Sequence, residues 1–402
     1  MKAGWQVKTL GESCFIARGG SPRPIQEFLT NDADGVSWIK ISDATASDKF
    51  IFKTKEKIKP SGIARSRLVK EGDFILSNSM SFGRPYVMKI SGCIHDGWLV
   101  LSEYEKYFDQ GFLYHLLGSP VVFEQFNNLA AGSTVRNLNI ELASRVVLPV
   151  PPIAQQQRIV AILDQAFEGI AKARANAEKN RQNARALFES RLQSIFTQRG
   201  EGWMEKPLSE VCEIKPPKSE AKKLLKNSDF VSFAPMEDLG INQKYLNPKK
   251  QRALEDVAGS YTYFAEGDVL LAKITPCFEN GKLGIAKNLI NGIGFGSSEY
   301  IVFRPNKELS NEFLYYFLSR KRFIEEGAVR MSGAVGHKRV SKEFIEGYKI
   351  AFPLLSTQKE IVNKIDDLSK ETQRLEALYQ RKITLLDELR KSLLQQAFAG
   401  AL

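Results

Sequence analysis

The chain has 402 residues, enough for two independent cores, and its 43% hydrophobic, 26% charged composition is that of a globular protein. No apolar run nears the ~20 residues of a membrane helix. The opening Met1-Lys2-Ala3-Gly4-Trp5 lacks a secretory stretch, so a cytoplasmic location is expected. Cys14, Cys93, Cys212 and Cys277 lie too far apart for a CxxC pair, which argues against a disulfide framework or a zinc site. Fifty-seven Lys plus Arg against 46 Asp plus Glu leave a net charge of +11, compatible with a polyanionic partner without establishing one.

In chain order, residues 1–148 mix β-branched and aromatic runs with Gly, Pro, Asn and Ser punctuation. Trp38-Ile39-Lys40-Ile41 and Phe74-Ile75-Leu76 read as strands. Lys53 to Lys59 alternates Lys with other residues, as a nucleic-acid contact or the wet face of an edge strand would. A region over 149–200 follows, with Pro151-Pro152 just ahead of a stretch almost free of Gly and Pro, where a helix start tolerates proline best. Residues 201–350 return to the mixed pattern, with Val269-Leu270-Leu271 as a strand and Phe313 to Leu318 as a short helix. Residues 351–402 form a second helical region after Pro353.

The chain is written twice. Gly4-Trp5-Gln6-Val7-Lys8-Thr9-Leu10-Gly11-Glu12-Ser13-Cys14 returns as Gly202-Trp203-Met204-Glu205-Lys206-Pro207-Leu208-Ser209-Glu210-Val211-Cys212. Glu71-Gly72-Asp73-Phe74-Ile75-Leu76 matches Glu266-Gly267-Asp268-Val269-Leu270-Leu271, and Phe112 to Leu117 matches Phe313 to Leu318. Pro151-Pro152-Ile153-Ala154-Gln155-Gln156-Gln157-Arg158-Ile159-Val160 matches Pro353-Leu354-Leu355-Ser356-Thr357-Gln358-Lys359-Glu360-Ile361-Val362. Four matches in one order define an internal repeat.

Within the helical stretches, apolar residues recur with 3–4 spacing, as in a coiled-coil seam. The seam carries Ile159, Leu163, Ile170 and Leu187 in the first helix, and Ile361, Ile365, Leu368, Leu375, Leu386 and Leu389 in the second. Asn180 and Lys382 interrupt it at equivalent places, where polar residues select register. Chain closure sets the direction: residues 201–350 join the end of the first helix to the start of the second. A parallel pair of ~45-residue helices would hold that domain's termini ~65 Å apart. Antiparallel helices are therefore expected, with the two globular domains inverted at opposite ends. The fold class is α+β: two pseudo-repeated α+β domains separated by a long antiparallel two-helix coiled coil, pseudo-two-fold symmetric.

Globular domain, long helix, globular domain, long helix resembles the specificity subunit of type I restriction–modification enzymes. The likeness rests on Leu148-Pro149-Val150-Pro151-Pro152-Ile153-Ala154-Gln155-Gln156-Gln157-Arg158-Ile159-Val160 with Leu163-Asp164, on Pro353, Gln358, Ile361-Val362 and Asp366, and on Leu393-Leu394-Gln395-Gln396-Ala397-Phe398-Ala399-Gly400. Gln155 departs from the Glu usual in that family. The resemblance covers the whole chain. It implies that each domain is a target recognition domain reading one half of a bipartite, asymmetric double-stranded DNA sequence, and that the helices act as conserved spacers. It also implies docking of two methyltransferase (M) subunits, which use S-adenosylmethionine on adenine, and two restriction (R) subunits, which carry ATP and Mg; no cofactor or metal is expected on this chain.

No catalytic residues are assigned, because there is no GxxxxGK[ST] phosphate loop, no Asn-Pro-Pro-Tyr-like segment and no Gly-rich fingerprint after a strand. Pro217-Lys218-Ser219-Glu220-Ala221-Lys222 faintly resembles a nuclease motif and is read instead as a solvated basic loop. His115, matched by Tyr316, is expected simply to pack. Candidate DNA contacts in the first domain are Arg18, Arg23, Lys53, Lys55, Arg65, Arg67, Asn78, Ser79 and Arg84, joined by Ser133, Thr134, Arg136 and Asn137 in a Gly-containing loop. In the second domain they are Lys215, Lys218, Lys249, Lys250, Arg252, Lys273 and Lys282, with His337, Lys338 and Arg339 in the equivalent loop. A self-contained DNA-modifying enzyme and a coiled-coil adaptor without DNA reading are the two alternatives.

Overall fold

Two short strands close each half of the chain on itself. In the computed structural model, which describes residues 4–78, 83–130, 138–334 and 336–402, Gln6–Thr9 pairs antiparallel with Val147–Val150, and Met204–Pro207 with Lys349–Phe352. The beginning and end of each globular domain therefore lie side by side, directly before the proline that opens a long helix. Gly4 and Gly202, both in the left-handed region (φ +86° and +80°), make the turn into the first of these strands.

By internal contacts the chain divides into two units, residues 1–178 with 381–402, and residues 179–380. The first unit holds two five-stranded sheets. One runs Phe15–Arg18, Trp98–Ser102, Phe74–Ser77, Pro85–Met88, Phe50–Ile51; the other runs Leu29–Thr30, Glu56–Ile58, Val36–Ile39, Gly92–Ile94, Arg67–Val69. The second unit repeats the first order as Cys212–Ile214, Tyr300–Pro305, Val269–Ala272, Leu283–Ala286, Tyr245–Leu246. It repeats the other as Lys250–Ala253, Phe230–Ala234, Ile293–Gly296, Thr262–Ala265, with the outermost strand missing among the described residues. Parallel pairs recur at equivalent places, Gly92–Ile94 beside Val36–Ile39 and Ile293–Gly296 beside Phe230–Ala234.

The expected strands at Phe74 and Val269 and the helix at Phe313 (Asn311–Leu318) are present. The strand expected over Trp38 to Ile41 ends at Ile39, because the Asp43 carboxylate accepts the Lys40 N–H (2.9 Å) and starts a short helix at Ile41. Lys53 to Lys59 is not an edge strand. Only Glu56–Ile58 is extended, and it is paired on both sides.

The two long helices are Ile153–Thr197, of 45 residues, and Leu355–Phe398, of 44. In the first unit, Ile159 and Leu163 share a core with Leu394, Ala397 and Phe398, and Phe398 packs edge-on against Phe112 at 5.4 Å. Arg174 meets Asp387 at 3.2 Å, and Arg390 lies over the Phe167 ring. In the second unit Arg181 bonds Gln380, and Leu192 and Phe196 share a core with Val362 and Ile365. Residue numbers rise along one helix as they fall along the other, so the segments pair antiparallel in each unit.

The seam itself needs correction. Ile159, Leu163, Ile170 and Ile365 are buried, and Ile361, Leu368, Leu375 and Leu386 half-buried, but Leu187 and Leu389 are 57% and 47% exposed. Asn180 and Lys382 also face outward and do not interrupt a buried line. That line runs instead through Leu192, Ile383 and Leu394. A strict seven-residue repeat assumes 3.5 residues per turn, whereas an α-helix has 3.6, and the ~20° drift per heptad moves the buried stripe by about one residue over the helix length.

Candidate nucleic-acid interface

One buried glutamine in each unit fixes the globular part on its helix. Gln156 is fully buried. Its Oε1 accepts the Asp109 N–H (2.8 Å), and its Nε2 donates to the carbonyls of Tyr107 and Pro151 (both 2.8 Å). Gln358 does the same with the Ser310 N–H and the carbonyls of Glu308 and Pro353, all at 2.8 Å. Asp109 and Ser310 in turn cap the helices that start at Gln110 and Asn311. A second tie lies beside the first. His115 does more than pack: its Nε2 lies 2.7 Å from Asp164, and in the other unit the Tyr316 hydroxyl donates to Asp366. Burial pulls the His115 pKa down, against the pull of Asp164.

Some of the cations gather round one acidic turn in each unit, just before the strands Trp98–Ser102 and Tyr300–Pro305, each the second strand of its five-stranded sheet. In the first unit the turn is at Asp96. Its carboxylate accepts from Ser21 Oγ (2.7 Å) and meets Arg23 at 3.4 Å, and its carbonyl accepts from Arg18 Nε (3.1 Å) and Asn78 Nδ2 (2.8 Å). The Ser21 hydrogen bond, ahead of His95 and Arg23, holds its carboxyl below the usual range. Asn78 is buried, so it braces the turn more than it offers a free amide.

In the second unit the turn is at Glu299, whose two oxygens accept from Arg339 Nε (2.9 Å) and Nη2 (2.7 Å), with Lys273 at 3.9 Å. Arg339 ends a hairpin pinned by backbone bonds. Ser332 and Arg339 exchange N–H···O contacts of 3.0 and 2.8 Å, Thr275 donates to the Lys338 carbonyl (2.9 Å), and Val340 to that of Lys273 (3.0 Å). Beside it opens a cleft of about 460 Å³ whose lining includes Lys215, Lys218, Lys273, Tyr261, Tyr263 and Tyr300. Burial lowers the Lys273 and Lys218 pKa values, and the neighbouring cations add to it in both. Lysines that share a concave site with tyrosines suit a polyanion.

The structure thus brings together Arg18, Arg23 and Asn78 in one unit, and Lys215, Lys218, Lys273 and Arg339 in the other. The remaining candidates lie elsewhere. Lys53 and Lys55 precede the Glu56–Ile58 strand, Arg65 stacks on Phe28, Arg67 opens an exposed strand, and Arg84 covers Tyr86. Lys249 and Lys250 lie at the start of the outer strand of the four-stranded sheet, Arg252 stacks on Phe233 there, and Lys282 donates to the Met236 carbonyl. His337 and Lys338 are exposed in the hairpin. Ser79, Ser133, Thr134, Arg136 and Asn137 lie outside the described residues.

Residues 217–222 are not a solvated loop. Ser219–Leu224 is a helix, and Glu220 is bound to Arg304 Nη1 at 2.6 Å, so its carboxylate is committed to a salt bridge. Burial pushes the Cys14 and Cys212 thiols up to about 12, which makes them poor nucleophiles. Among the described residues no group of His, Cys, Asp and Glu could hold a metal ion, and no helix is long and apolar enough to cross a membrane. In the sequence no role falls to Asp96 or Glu299, and Gln156 and Gln358 stand only as matching positions of the repeat and of the family likeness. The two glutamines were visible as equivalent positions in the repeat; the two carboxylates had no such signal.

A profile described as the type I restriction modification DNA specificity domain matches residues 2–179 and again 200–385. The EcoEI type I restriction enzyme specificity subunit of Escherichia coli is 36% identical over 188 residues, 46% of this chain; the chain spans only 30% of that relative's length. The MjaVIII specificity subunit of Methanocaldococcus jannaschii is 22% identical over 95% of this chain and 92% of its own. Among solved structures, a chain from work on complex assembly and conformational transition of the type I R-M system superposes with a TM-score of 0.78, at 20% identity, over 99% of this chain and 98% of that one. The HsdS subunit of Thermoanaerobacter tengcongensis gives 0.60 at 19% identity over 100% and 98%. At such identities these two show a shared fold.

Proposed function

The chain belongs to the type I restriction modification DNA specificity family, and from that premise we propose that it is the non-catalytic specificity subunit of a type I restriction–modification system, acting in the cytoplasm. Each globular domain reads one half of a bipartite, asymmetric duplex sequence, and the paired helices tether the two readers. Two methyltransferase subunits and two motor–nuclease subunits dock on it, and S-adenosylmethionine, ATP and Mg act on those partners.

The observation that carries this reading is that one specificity domain occurs twice in one chain, with the same glutamine clamp to the helix but different cation loops. Identical clamps give equivalent placement on the helix; unlike loops give unlike half-sites. Lysine-rich surfaces supply sequence-independent phosphate attraction, which weakens steeply with salt.

Replacing residues 203–350 with the equivalent domain of a relative tests the reading. Single-molecule sequencing of adenine methylation in the host should show one half-site changed and the other intact. An unchanged pattern refutes the assignment of half-sites to domains. If duplex binding is undetectable even with methyltransferase subunits present, the chain is an adaptor. Methylation by the purified chain alone would make it an enzyme.

A further inference from the structure

Arg339 is anchored along one edge and open along another. Its Nε and Nη2 both donate to Glu299, and Nη1 donates once to the His337 carbonyl at 3.1 Å. A guanidinium carries five N–H donors in a rigid plane. Three are used, which leaves one N–H on each of the two terminal nitrogens. They meet no acceptor among the described residues, and the side chain is 45% exposed.

The Glu299 pair is not needed to build the hairpin, because backbone bonds at Ser332, Thr275, Arg339 and Val340 already pin it. What the carboxylate adds is aim, and it also cancels the charge. A neutralised guanidinium attracts a phosphate weakly, yet keeps a donor on each of its two terminal nitrogens, which sit side by side in one plane and can face two acceptors on one base edge. Guanine presents that pair, O6 and N7, in the major groove. The lysines alongside, Lys215, Lys218 and Lys273, retain the net positive charge that phosphates require.

We propose that Arg339 is a specificity-determining residue that reads a guanine in the half-site of the second domain, and that Glu299 is the positioning residue that aims it. This rests on the DNA-reading function proposed above. The lysines of the adjoining cleft hold the backbone of the same half-site.

The test is selection from a randomised duplex pool by the full chain, alone and with the methyltransferase subunits of its system. The wild type should enrich a motif containing a guanine that becomes degenerate in R339A, with about tenfold or greater loss of preference at that position and none in the other half-site. R339K should lose the same guanine, since a lysine keeps the charge but not the fork, and it guards against a folding defect in R339A. E299Q should weaken preference at that same position. The salt dependence of residual binding should hardly change in R339A, while K215A lowers the slope by about one. A motif unchanged in R339A and R339K overturns the inference while the DNA-reading function stands. So does a uniform loss of affinity with a lower salt slope in R339A, which would mark a phosphate contact. A wild type that enriches no sequence overturns both.

Discussion

Asp73 and Asp268 occupy the same turn in two copies of one module, and only the second is forked by an arginine. Each follows a left-handed glycine, Gly72 (φ +97°) or Gly267 (φ +86°), and each accepts the N–H three residues back, from Lys70 (2.8 Å) or Ala265 (2.7 Å). In the second unit Asp268 is only 2% exposed, and Arg304 forks onto it with Nε and Nη2 at 2.8 Å each. The third nitrogen takes Glu220, which the Tyr263 hydroxyl also reaches at 3.1 Å. In the first unit strand register puts Ser102 where Arg304 stands, and Asp73 is left half-buried, its pKa raised by burial. The two copies share the hydrogen bonds that close their backbones and differ in the charges laid over them. Duplicated modules can diverge in electrostatics cheaply as long as no buried carboxylate is stranded.

The sharpest way to break that comparison is to strand one. R304M leaves Asp268 buried without its partner and should cost about 3–5 kcal/mol, seen as a lower urea midpoint, whereas S102A at the matching position should shift it by less than about 0.5 kcal/mol. A loss for R304M within error of zero would make the network ornamental. The shared part is tested by Q156A and Q358A. Each removes three hydrogen bonds and leaves buried backbone groups unpaired, so both should cost about 3 kcal/mol, and a large inequality between them would deny that the clamps are equivalent.

The latch pair His115–Asp164 and Tyr316–Asp366 predicts a pH response in one unit alone. Burial holds the folded-state His115 pKa below the ordinary histidine value near 6.5, so the unfolded chain binds the proton more readily. Stability from this group is therefore complete above the unfolded value and falls as pH drops through it. Tyr316 is shifted the other way, above 10, by burial and by Asp366, and is silent there. Denaturation midpoints between pH 7.5 and 5.5 should fall for the wild type and fall less for H115Y; equal slopes would remove His115 as the source. The smallest effects belong to the outward-facing leucines of the long helices. L187A and L389A should each change stability by at most about 0.5 kcal/mol, while I383A, truncating a buried side chain, should cost about 2–5 kcal/mol.

Much of the architecture was legible in the residues alone. The repeat, the proline before each long helix, the uninterrupted helical propensity and the need to close a domain between two rods led to an antiparallel pair, because each follows from local geometry and chain length. The glutamine clamps were legible in principle, being two equivalent polar residues at the start of helices that otherwise bury apolar ones. The cation sites were not. Arg18 and Arg23 are distant in sequence from Asn78 and meet it only because a sheet carries them to the Asp96 turn, and Lys250 and Lys273 look alike until one is found on an outer strand and the other beside Glu299. The sequence by itself determined the number of modules, the order of their parts and the direction of the helices. Tertiary structure alone decided which helical stripe is buried, since 3.6 residues per turn drift off a heptad, and which cations converge, since that depends on turns whose partners lie tens of residues away.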